Sequence, residues 1–211
     1  MKPPVNTQTH TGAVVLAAGQ SRRMGTQKLL LPWGGRTVIA QVVGVLASVA
    51  LEQIVVVTGG SHEQVTEALR DQDVTLAHNS QYQQGEMLGS LHVGLAALAP
   101  TMNAALVVLA DQPQIQPDIV ALILRKAQQT SSPLIVPSYQ KRRGHPWLVR
   151  RALWPELLGM DVNTETLRDF LNRHAHQIEY LDVETQSVLM DLDTPEDYRQ
   201  QRPDPPGEDL T

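Results

Sequence analysis

The chain has 211 residues and a formal net charge of -5 at pH 7, with 17 lysine and arginine residues against 22 acidic ones. This length suffices for one well-buried domain, and the acidic balance argues against a protein that binds duplex nucleic acid through a broad basic face. The sequence contains no cysteine, which excludes disulfide bonds and thiolate metal sites and favours a cytoplasmic protein.

Both ends of the chain are expected to be disordered. Residues 1–11 are polar and lack the apolar core of a signal peptide, and residues 202–211 are rich in proline and acid. The longest apolar stretch, Val38 to Leu51, is interrupted by glycine and polar residues and is too short to span a bilayer. We therefore expect a single domain over residues 12–201 and no membrane partner.

Short apolar runs alternate with helix-length segments along the first two thirds of the chain. Continuous runs such as Ile54–Val57 are typical of parallel strands covered on both faces. The alternation predicts an α/β fold, a three-layer α/β/α sandwich with a mostly parallel Rossmann-like sheet. The predicted strands are Ala13–Ala17, Ile54–Thr58, Val74–Ala77, Ala105–Leu109 and Leu134–Pro137, and the predicted helices are Thr37–Leu51, Ser61–Arg70, Met87–Leu98 and Pro117–Gln129.

The regular alternation ends after Pro137, and we expect the irregular region that follows to cover the site. Thr194 opens a helix there as its N-cap, because Pro195 suits the first turn and Asp197 can reach back to the cap. The other elements predicted in this region are helices near Arg151–Leu158 and Thr164–Arg173 and strands near Ile178–Val183 and Val188–Leu192.

The most informative segment begins where the first predicted strand ends. Ala18, Gly19 and Ser21 are small enough to let phosphates approach backbone N–H groups, while Arg23 and Lys28 supply positive charge. The glycine spacing fits neither a Walker loop nor a dinucleotide fingerprint. The pattern indicates a nucleoside triphosphate site, and the alternative is an ordinary strand-to-helix loop with solvated arginines.

Three aspartates are candidate ligands of Mg²⁺. Asp111 directly follows the strand predicted at Ala105–Leu109, so it lies at the strand's carboxyl end; the alternative is a turn aspartate ahead of a proline. Asp191 and Asp193 share one face if Val188–Leu192 is a strand. The alternative for Asp193 is an acid favoured by the N-terminus of the following helix.

Two further groups are candidate contacts for the substrates. Asn79, Tyr82, Gly85 and Ser90 precede or begin a predicted helix, where they can contact a base, a ribose or an acceptor, with plain helix capping as the alternative. The segment Arg142–Pro146 offers positive charge, the small Gly144 and the hydrogen-bonding His145 to an anionic acceptor. The other histidines are too scattered to predict a zinc site.

Four motifs in order resemble the MobA-like nucleotidyltransferases, and most closely the molybdenum cofactor cytidylyltransferases. They cover roughly residues 12–198, and together they are far more specific than the first motif alone. The motifs are Leu16-Ala17-Ala18-Gly19-x-Ser21-x-Arg23-Met24-Gly25-x-x-Lys28, Leu109-Ala110-Asp111-Gln112-Pro113, Gly144-His145-Pro146 and Asp191-Leu192-Asp193-Thr194-Pro195-Glu196-Asp197.

The resemblance implies a fold of the nucleotide-diphospho-sugar transferase type and a role for each motif. The segment from Leu16 through Ala17 to Lys28 would hold the nucleotide, together with Asn79 and Ser90. Asp111 and the pair Asp191 and Asp193 would hold Mg²⁺, and Gly144 and His145 would face the acceptor. Arg23, Lys28 and Asp111 would carry catalysis.

The resemblance implies transfer of CMP from CTP to the phosphate of molybdopterin, with release of pyrophosphate. Ala18 stands where the related guanylyltransferases typically have glycine, which favours CTP over GTP. The chain departs from the cytidylyltransferase pattern over residues 159–168 and has one extra residue between Gly85 and Ser90. Alternatives are GMP transfer to the same pterin, transfer to a sugar or alcohol phosphate, and a nucleotide-binding chaperone-like module without catalysis. We expect a monomer or weak dimer, with a molybdoenzyme as client.

Overall fold

The computed structural model describes residues 9–84 and 86–203, without the side chains of Arg22 and Glu86. Part of the predicted disordered lead is ordered: Thr9 is buried, its hydroxyl donates to the carbonyl of Ala127, and the first strand begins at Thr11. Residues 1–8 of that lead and residues 204–211 of the predicted tail lie outside the described residues.

Strands and helices alternate as the sequence predicts up to Tyr139. The strands are β1 (Thr11–Ala17), β2 (Pro32–Trp33), β3 (Arg36–Thr37), β4 (Gln53–Thr58), β5 (Thr75–His78), β6 (Ala104–Leu109), β7 (Leu134–Tyr139), β8 (Arg142–Arg143), β9 (Trp147–Arg150) and β10 (Ile178–Asp182). The helices are α1 (Val38–Ala47), α2 (His62–Ala68), α3 (Glu86–Ala97), α4 (Pro117–Gln129), α5 (Trp154–Gly159), α6 (Leu167–Arg173) and α7 (Pro195–Gln201).

One mixed, mostly parallel sheet organises the chain. Its strands follow the order β10-β7-β9-β6-β1-β4-β5, with β8 paired to the end of β7. Strand β1 is central and pairs in parallel with both β4 and β6, whereas β9 runs antiparallel between β6 and β7. The short strands β2 and β3 form a separate hairpin.

The sheet is covered on both faces, which gives the α/β three-layer architecture expected from the sequence. Successive residues of a strand point to opposite faces, so Val15 of β1 packs in one apolar cluster and Val14 in the other. The cluster around Val15 includes buried residues of α1 and α4. The cluster around Val14 includes buried residues of α3, α5 and α6.

The region after Tyr139 differs from the sequence prediction in several places. The predicted strand Val188–Leu192 is wrong: Gln186–Leu189 forms a 3₁₀ turn, and residues 190–193 are irregular. The sequence analysis also missed β9, a short strand whose Trp147 and Leu148 are buried in the middle of the sheet. The capping box of α7 is present as predicted, with Thr194 and Asp197 bonded reciprocally.

The described residues contain no helix that is both long enough and apolar enough to cross a membrane. The longest helix there, α4, has 13 residues and carries Asp118, Arg125 and Lys126. Its apolar residues Val120 and Ile123 are buried against the sheet. This amphipathic pattern is typical of a helix that covers a sheet in a globular domain.

Helix α3 crosses the sheet at very close range because Gly94 faces β1 and β4. A Cβ atom placed on Gly94 would lie 2.2 Å from Val14 Cγ1 and 2.9 Å from Val57 Cγ2. Both valines are fully buried and stiff, so neither can move aside at low cost. The glycine therefore sets the distance between this helix and the strands that end at the cavity described below.

Replacement of Gly94 by alanine is expected to lower the free energy of unfolding by about 1–3 kcal/mol, because the added methyl overpacks the core. Urea unfolding monitored by circular dichroism measures this change. The control is Gly159→Ala in α5, where an added Cβ meets no described atom within 4 Å. Equal stability of the two variants would contradict the close packing of α3.

Candidate active site

The carboxyl ends of the central strands form the edge at which the candidate residues meet. Leu16 of β1 pairs with Leu109 of β6, and the amide of Ala110 donates to the carbonyl of Leu16 at 3.4 Å. The loop after β1 and the residue Asp111 therefore lie side by side. This is the position at which open α/β sheets bind their ligands.

The loop after β1 folds back so that Lys28 lies close to the carboxyl end of β1. Ser21 adopts the left-handed conformation, with φ of 49°, and its hydroxyl accepts a hydrogen bond from the amide of Lys28 at 3.3 Å. A 3₁₀ turn, Arg22–Met24, lies between them and ends at Gly25, with φ of 65°. The turn presents the small residues of the loop and the cation of Lys28 to the same space.

A cavity of about 630 Å³ opens at this edge of the sheet. Its volume lies within the range of small-molecule sites, about 300–1,000 Å³. In the described part of the chain, Arg23, Asn79, Gly144 and His145 do not belong to its wall. The predicted site residues that do line the cavity are Leu16, Ala17, Ala18, Gly19, Ser21, Lys28, Ser90, Asp111, Asp191 and Asp193.

Lys28 joins acids from two remote segments of the chain. Its Nζ atom lies 2.5 Å from Asp111 Oδ2 and 3.3 Å from Asp193 Oδ1. Burial lowers the pKa of Lys28, but the charges and hydrogen bonds of Asp111 and Asp193 outweigh burial and raise that pKa above its ordinary value. Lys28 is therefore fully charged near neutral pH.

Arg23 contacts the same acidic group from the outside. Its guanidinium lies 3.2 Å from Asp193 Oδ2, and 78% of the Arg23 side chain is exposed. An exposed ion pair of this kind contributes little stability, about 0–1 kcal/mol. Asp193 therefore holds the guanidinium of Arg23 only weakly.

Asp191 is held by a different partner from Asp193. Gln112 donates from Nε2 to Asp191 Oδ1 at 2.5 Å, and the amide of Leu192 donates to the carbonyl of Asp111 at 3.0 Å. Burial raises the pKa of Asp191, and the charges of Asp111 and Asp193 raise it further, against the opposing hydrogen bond from Gln112. The carboxylates of this site repel one another, which a bound cation would relieve.

The donor set fits a divalent cation that also binds phosphate. The described residues contain no group of three or more histidine or acidic side chains arranged to hold a metal ion by themselves. Mg²⁺ is usually bound through one or two carboxylates together with substrate phosphates. Asp111 and Asp191 supply two carboxylates on segments joined by a backbone hydrogen bond, so the residues present match that requirement.

Two of the residues predicted around α3, Tyr82 and Ser90, line the cavity, and Asn79 lies behind Ser90. Asn79 and Ser90 are both buried, and Asn79 donates from Nδ2 to Ser90 Oγ at 3.2 Å. Ser90 lines the cavity, as does Tyr82, whose ring packs against Gly59 and Gly60 so closely that a Cβ atom on either would approach it within 3.0 Å. Gly85, another predicted residue, lies outside the described residues.

Gly144 and His145 are packed against the segment that leads to Asp191. The amide of His145 donates to the carbonyl of Val188 at 2.8 Å, and a Cβ atom on Gly144 would lie 2.6 Å from that same carbonyl oxygen. Burial lowers the pKa of His145 to about 4, so the imidazole is neutral at pH 7. His145 can therefore form a hydrogen bond through its neutral ring, but it carries no positive charge at pH 7.

The sequence analysis assigns no role to several residues at or behind the cavity wall, among them Gln83, Met87 and Gln112. Gln83 and Met87 line its wall, and Met87 is 44% exposed although it is apolar. Gln112 is buried behind the wall and binds Asp191. The position of Gln112 next to Asp111 is the one available signal, but its partner lies 79 residues further along the chain.

The chain matches a known protein family over most of its length. The family model described as the MobA-like NTP transferase domain matches residues 13–178. The chain therefore belongs to the MobA-like NTP transferase family, and it is a nucleotidyltransferase. The expectation drawn from the four motifs is confirmed at this level.

The individual relatives carry different activities in their names, so they do not identify the substrate of this chain. The chain is 28% identical to Nicotine blue oxidoreductase of Paenarthrobacter nicotinovorans over 87% of its own length and 92% of that protein. It is 27% identical to Molybdenum cofactor cytidylyltransferase of Escherichia coli K12, covering 88% and 92%. The crystal structure of Rv0371c from Mycobacterium tuberculosis H37Rv superimposes on the chain with a TM-score of 0.80 at 27% identity, over 92% of this chain and 98% of Rv0371c. A manganese complex of Rv0371c superimposes with a TM-score of 0.78.

Gly19 offers a direct test of the cavity as a nucleotide site. It lines the cavity, its backbone is not in the left-handed region, and an added Cβ would meet no described atom within 4 Å. We expect Gly19→Leu to keep the stability of the wild type within about 0.5 kcal/mol. The new side chain should nevertheless keep phosphates away from the backbone of the loop.

The measurement is the affinity for CTP by isothermal titration calorimetry in the presence of Mg²⁺, where a loss of about tenfold or more corresponds to about 1.4 kcal/mol. The control is Gly159→Leu, which makes the same change at an exposed glycine away from the cavity. Wild-type affinity in the Gly19 variant would exclude the loop as the phosphate site.

Proposed function

We propose that this nucleotidyltransferase transfers CMP from CTP to the phosphate of molybdopterin or its molybdenum form, with release of pyrophosphate. The observation that supports the proposal best is the ion-pair cluster of Lys28, Asp111 and Asp193 in the wall of a cavity closed by the small-residue loop. The chain is 27% identical to Molybdenum cofactor cytidylyltransferase over 92% of the length of that protein, which supports the choice of acceptor.

The proposed reaction is an in-line displacement at the α-phosphorus of CTP. An oxygen of the acceptor phosphate forms the new P–O bond, and the bond from the α-phosphorus to the bridging oxygen of the β-phosphate breaks, so pyrophosphate leaves with that electron pair. A phosphate monoester has its second pKa at about 6, so the nucleophile is already ionised at neutral pH. The chain therefore needs no general base.

Lys28 and Arg23 supply the positive charge that the triphosphate requires. Both cations form ion pairs with carboxylates, and we infer that they exchange these partners for phosphate oxygens when CTP binds. Transfer of a cation from one anion to another conserves the charge balance of the site. In the new position the two cations stabilise the negative charge that develops on the leaving pyrophosphate.

We propose Asp111 and Asp191 as the residues that hold Mg²⁺, with Asp193 as a further candidate. When bound, the metal ion supplies charge neutralisation and polarisation of the phosphate oxygens. Asp193 already binds both Lys28 and Arg23, so its first role in this proposal is to position the cations. Asp111 and Asp191 hold their carboxylates in place through Lys28 and Gln112.

We propose that the loop after β1 and Ser90 of the cavity wall hold the nucleotide, with Asn79 supporting Ser90 from behind through its hydrogen bond. Ala18 is buried directly beside Gly59, whose Cβ, if present, would lie 2.6 Å from the Ala18 carbonyl oxygen. Gly144 and His145 are not part of the cavity wall but pack on the segment leading to Asp191, which supports an acceptor site on that side. His145 would there donate one hydrogen bond from a neutral ring.

Asp111→Asn is expected to lower turnover by about 10²-fold or more while the protein stays folded, since one of the two carboxylates proposed to hold the divalent cation is lost. Pyrophosphate release with CTP and molybdopterin measures turnover, and circular dichroism checks the fold. The matched control is Asp71→Asn, a change at an aspartate whose side chain is 88% exposed. Turnover of the Asp111 variant within about tenfold of wild type excludes the assignment.

The same assay separates the rival functions. Pyrophosphate release with GTP in place of CTP indicates the guanylyltransferase, and release with a sugar phosphate as acceptor indicates a different substrate class. Tight CTP binding without pyrophosphate release for any acceptor indicates a binding module. A separate assay for redox turnover of nicotine blue, without nucleotide transfer, would indicate an oxidoreductase, the activity in the name of the relative from Paenarthrobacter nicotinovorans.

A further inference from the structure

Gln112 is a buried side chain that binds one of the site carboxylates from behind the cavity wall. It is 3% exposed, and its Nε2 atom donates to Asp191 Oδ1 at 2.5 Å. Because Gln112 directly follows Asp111 in the chain, a single dipeptide contributes one carboxylate of the site and also holds another. The hydrogen bond joins segments that are 79 residues apart.

Asp191 depends on this hydrogen bond because its own segment is irregular. The amide of Leu192 donates to the carbonyl of Asp111 at 3.0 Å, and the amide of Met190 donates to the carbonyl of Ser187 at 3.4 Å. These bonds fix the backbone around Asp191 but leave the rotation of its carboxylate free. The bond from Gln112 removes that freedom, because it fixes the position of one carboxylate oxygen.

The neutral amide of Gln112 is suited to a carboxylate that must bind a cation. Lys28 neutralises part of the charge on Asp111 and Asp193, whereas a neutral donor leaves the full negative charge on Asp191. Within the described residues, Gln112 occupies Oδ1 of Asp191, so Oδ2 is the oxygen left for a ligand. Hydrogen-bonded partners of metal-binding carboxylates commonly set the orientation of those ligands.

We propose that Gln112 is a positioning residue, which orients the carboxylate of Asp191 for a divalent cation. This inference rests on the proposed function, because it takes Asp191 as a ligand of the catalytic metal ion. Gln112 itself does not touch substrate in this proposal. Its contribution lies in metal affinity, and the transfer step is affected only through occupancy of the metal site.

The test measures binding of Mn²⁺ to the full chain by electron paramagnetic resonance of the free ion, first alone and then with α,β-methylene-CTP, because the site carboxylates are proposed to bind the cation together with phosphates. We expect Gln112→Met, which keeps the size of the side chain and removes its donor, to raise the Kd for Mn²⁺ about 10–100-fold. Gln112→Asn keeps the amide but is one methylene too short to reach Asp191, so it should show a similar loss. Circular dichroism checks that both variants stay folded, so that a loss of Mn²⁺ affinity can be assigned to the lost hydrogen bond.

The matched control is Gln114→Met, because Gln114 lies in the same loop and donates to Gln201 rather than to a site carboxylate. In a pyrophosphate-release assay, the Gln112 variants should need more Mg²⁺ for half-maximal rate, while kcat at saturating Mg²⁺ returns to within about twofold of wild type. A merely structural role would lower kcat at every Mg²⁺ concentration and leave the Kd for Mn²⁺ unchanged.

Two outcomes overturn the inference: Mn²⁺ affinity equal to wild type in a folded Gln112 variant, or no Mn²⁺ binding by the wild type either alone or with α,β-methylene-CTP. The proposed function fails in a different way, when the wild type binds Mn²⁺ with the expected dependence on Gln112 but releases no pyrophosphate from CTP with molybdopterin. In that case the positioning role of Gln112 stands, and the cation serves another reaction at the same site.

Discussion

The contact of Lys28 with Asp111 and Asp193 is the interaction on which the site depends. It joins the loop after the first strand, the end of β6 and the segment before α7, which are far apart in sequence. The Lys28 side chain is 13% exposed, so the pair with Asp111 is partly shielded from water. Buried ion pairs of this kind contribute little net stability, and their value lies in fixing geometry.

The fold makes this contact possible because parallel strands deliver their carboxyl ends to one edge of the sheet. β1 and β6 are adjacent, so the residues after Leu16 and Leu109 emerge together. The segment around Asp191 reaches the same edge by a hydrogen bond from Leu192 to Asp111, and the capping box of α7 fixes Thr194 just beyond. Backbone hydrogen bonds thus hold three acids close together against their mutual repulsion.

Two consequences follow for the chemistry. The pKa of Asp191 is raised by burial and, to a smaller extent, by the charges of Asp111 and Asp193, and a bound cation would reduce the repulsion among these carboxylates. Lys28 and Arg23 are paired with acids that a triphosphate and its metal ion can replace in the same space. The nucleotide and the metal ion would then bind together, because each takes one half of an existing ion pair.

Much of this arrangement could be predicted from the sequence, because it follows from strand patterns and from residues that succeed strand ends. The parallel strands up to β7 and the placement of Asp111 beside Lys28 came from such local signals. The two-residue periodicity of a strand placed Asp191 and Asp193 on one face, but the structure has no strand there. Both residues nevertheless line the cavity, because hydrogen bonds to distant segments hold them in place. The short strand β9 was missed because its neighbours in the sheet, and not its own sequence, determine it.

The side-chain pairs of the site were the least predictable part. Gln112 with Asp191 and Asn79 with Ser90 are hydrogen bonds between residues whose proximity depends on the complete fold. The sequence placed Ser90 near a helix start, which is correct, but gave no reason to expect Asn79 as its donor. Substrate identity depends on similar details at the mouth of the cavity, where Met87 and Tyr82 lie.

The central claim is that one cation and acids from two remote segments bind a single triphosphate and metal ion. The most direct measurement is anomalous diffraction from crystals grown with Mn²⁺ and α,β-methylene-CTP, a non-reactive analogue of CTP. The account predicts a Mn²⁺ peak between the carboxylates of Asp111 and Asp191, with Lys28 Nζ moved from Asp111 onto a phosphate oxygen. A Mn²⁺ ion or a triphosphate bound elsewhere, with the pair of Lys28 and Asp111 intact, would contradict it.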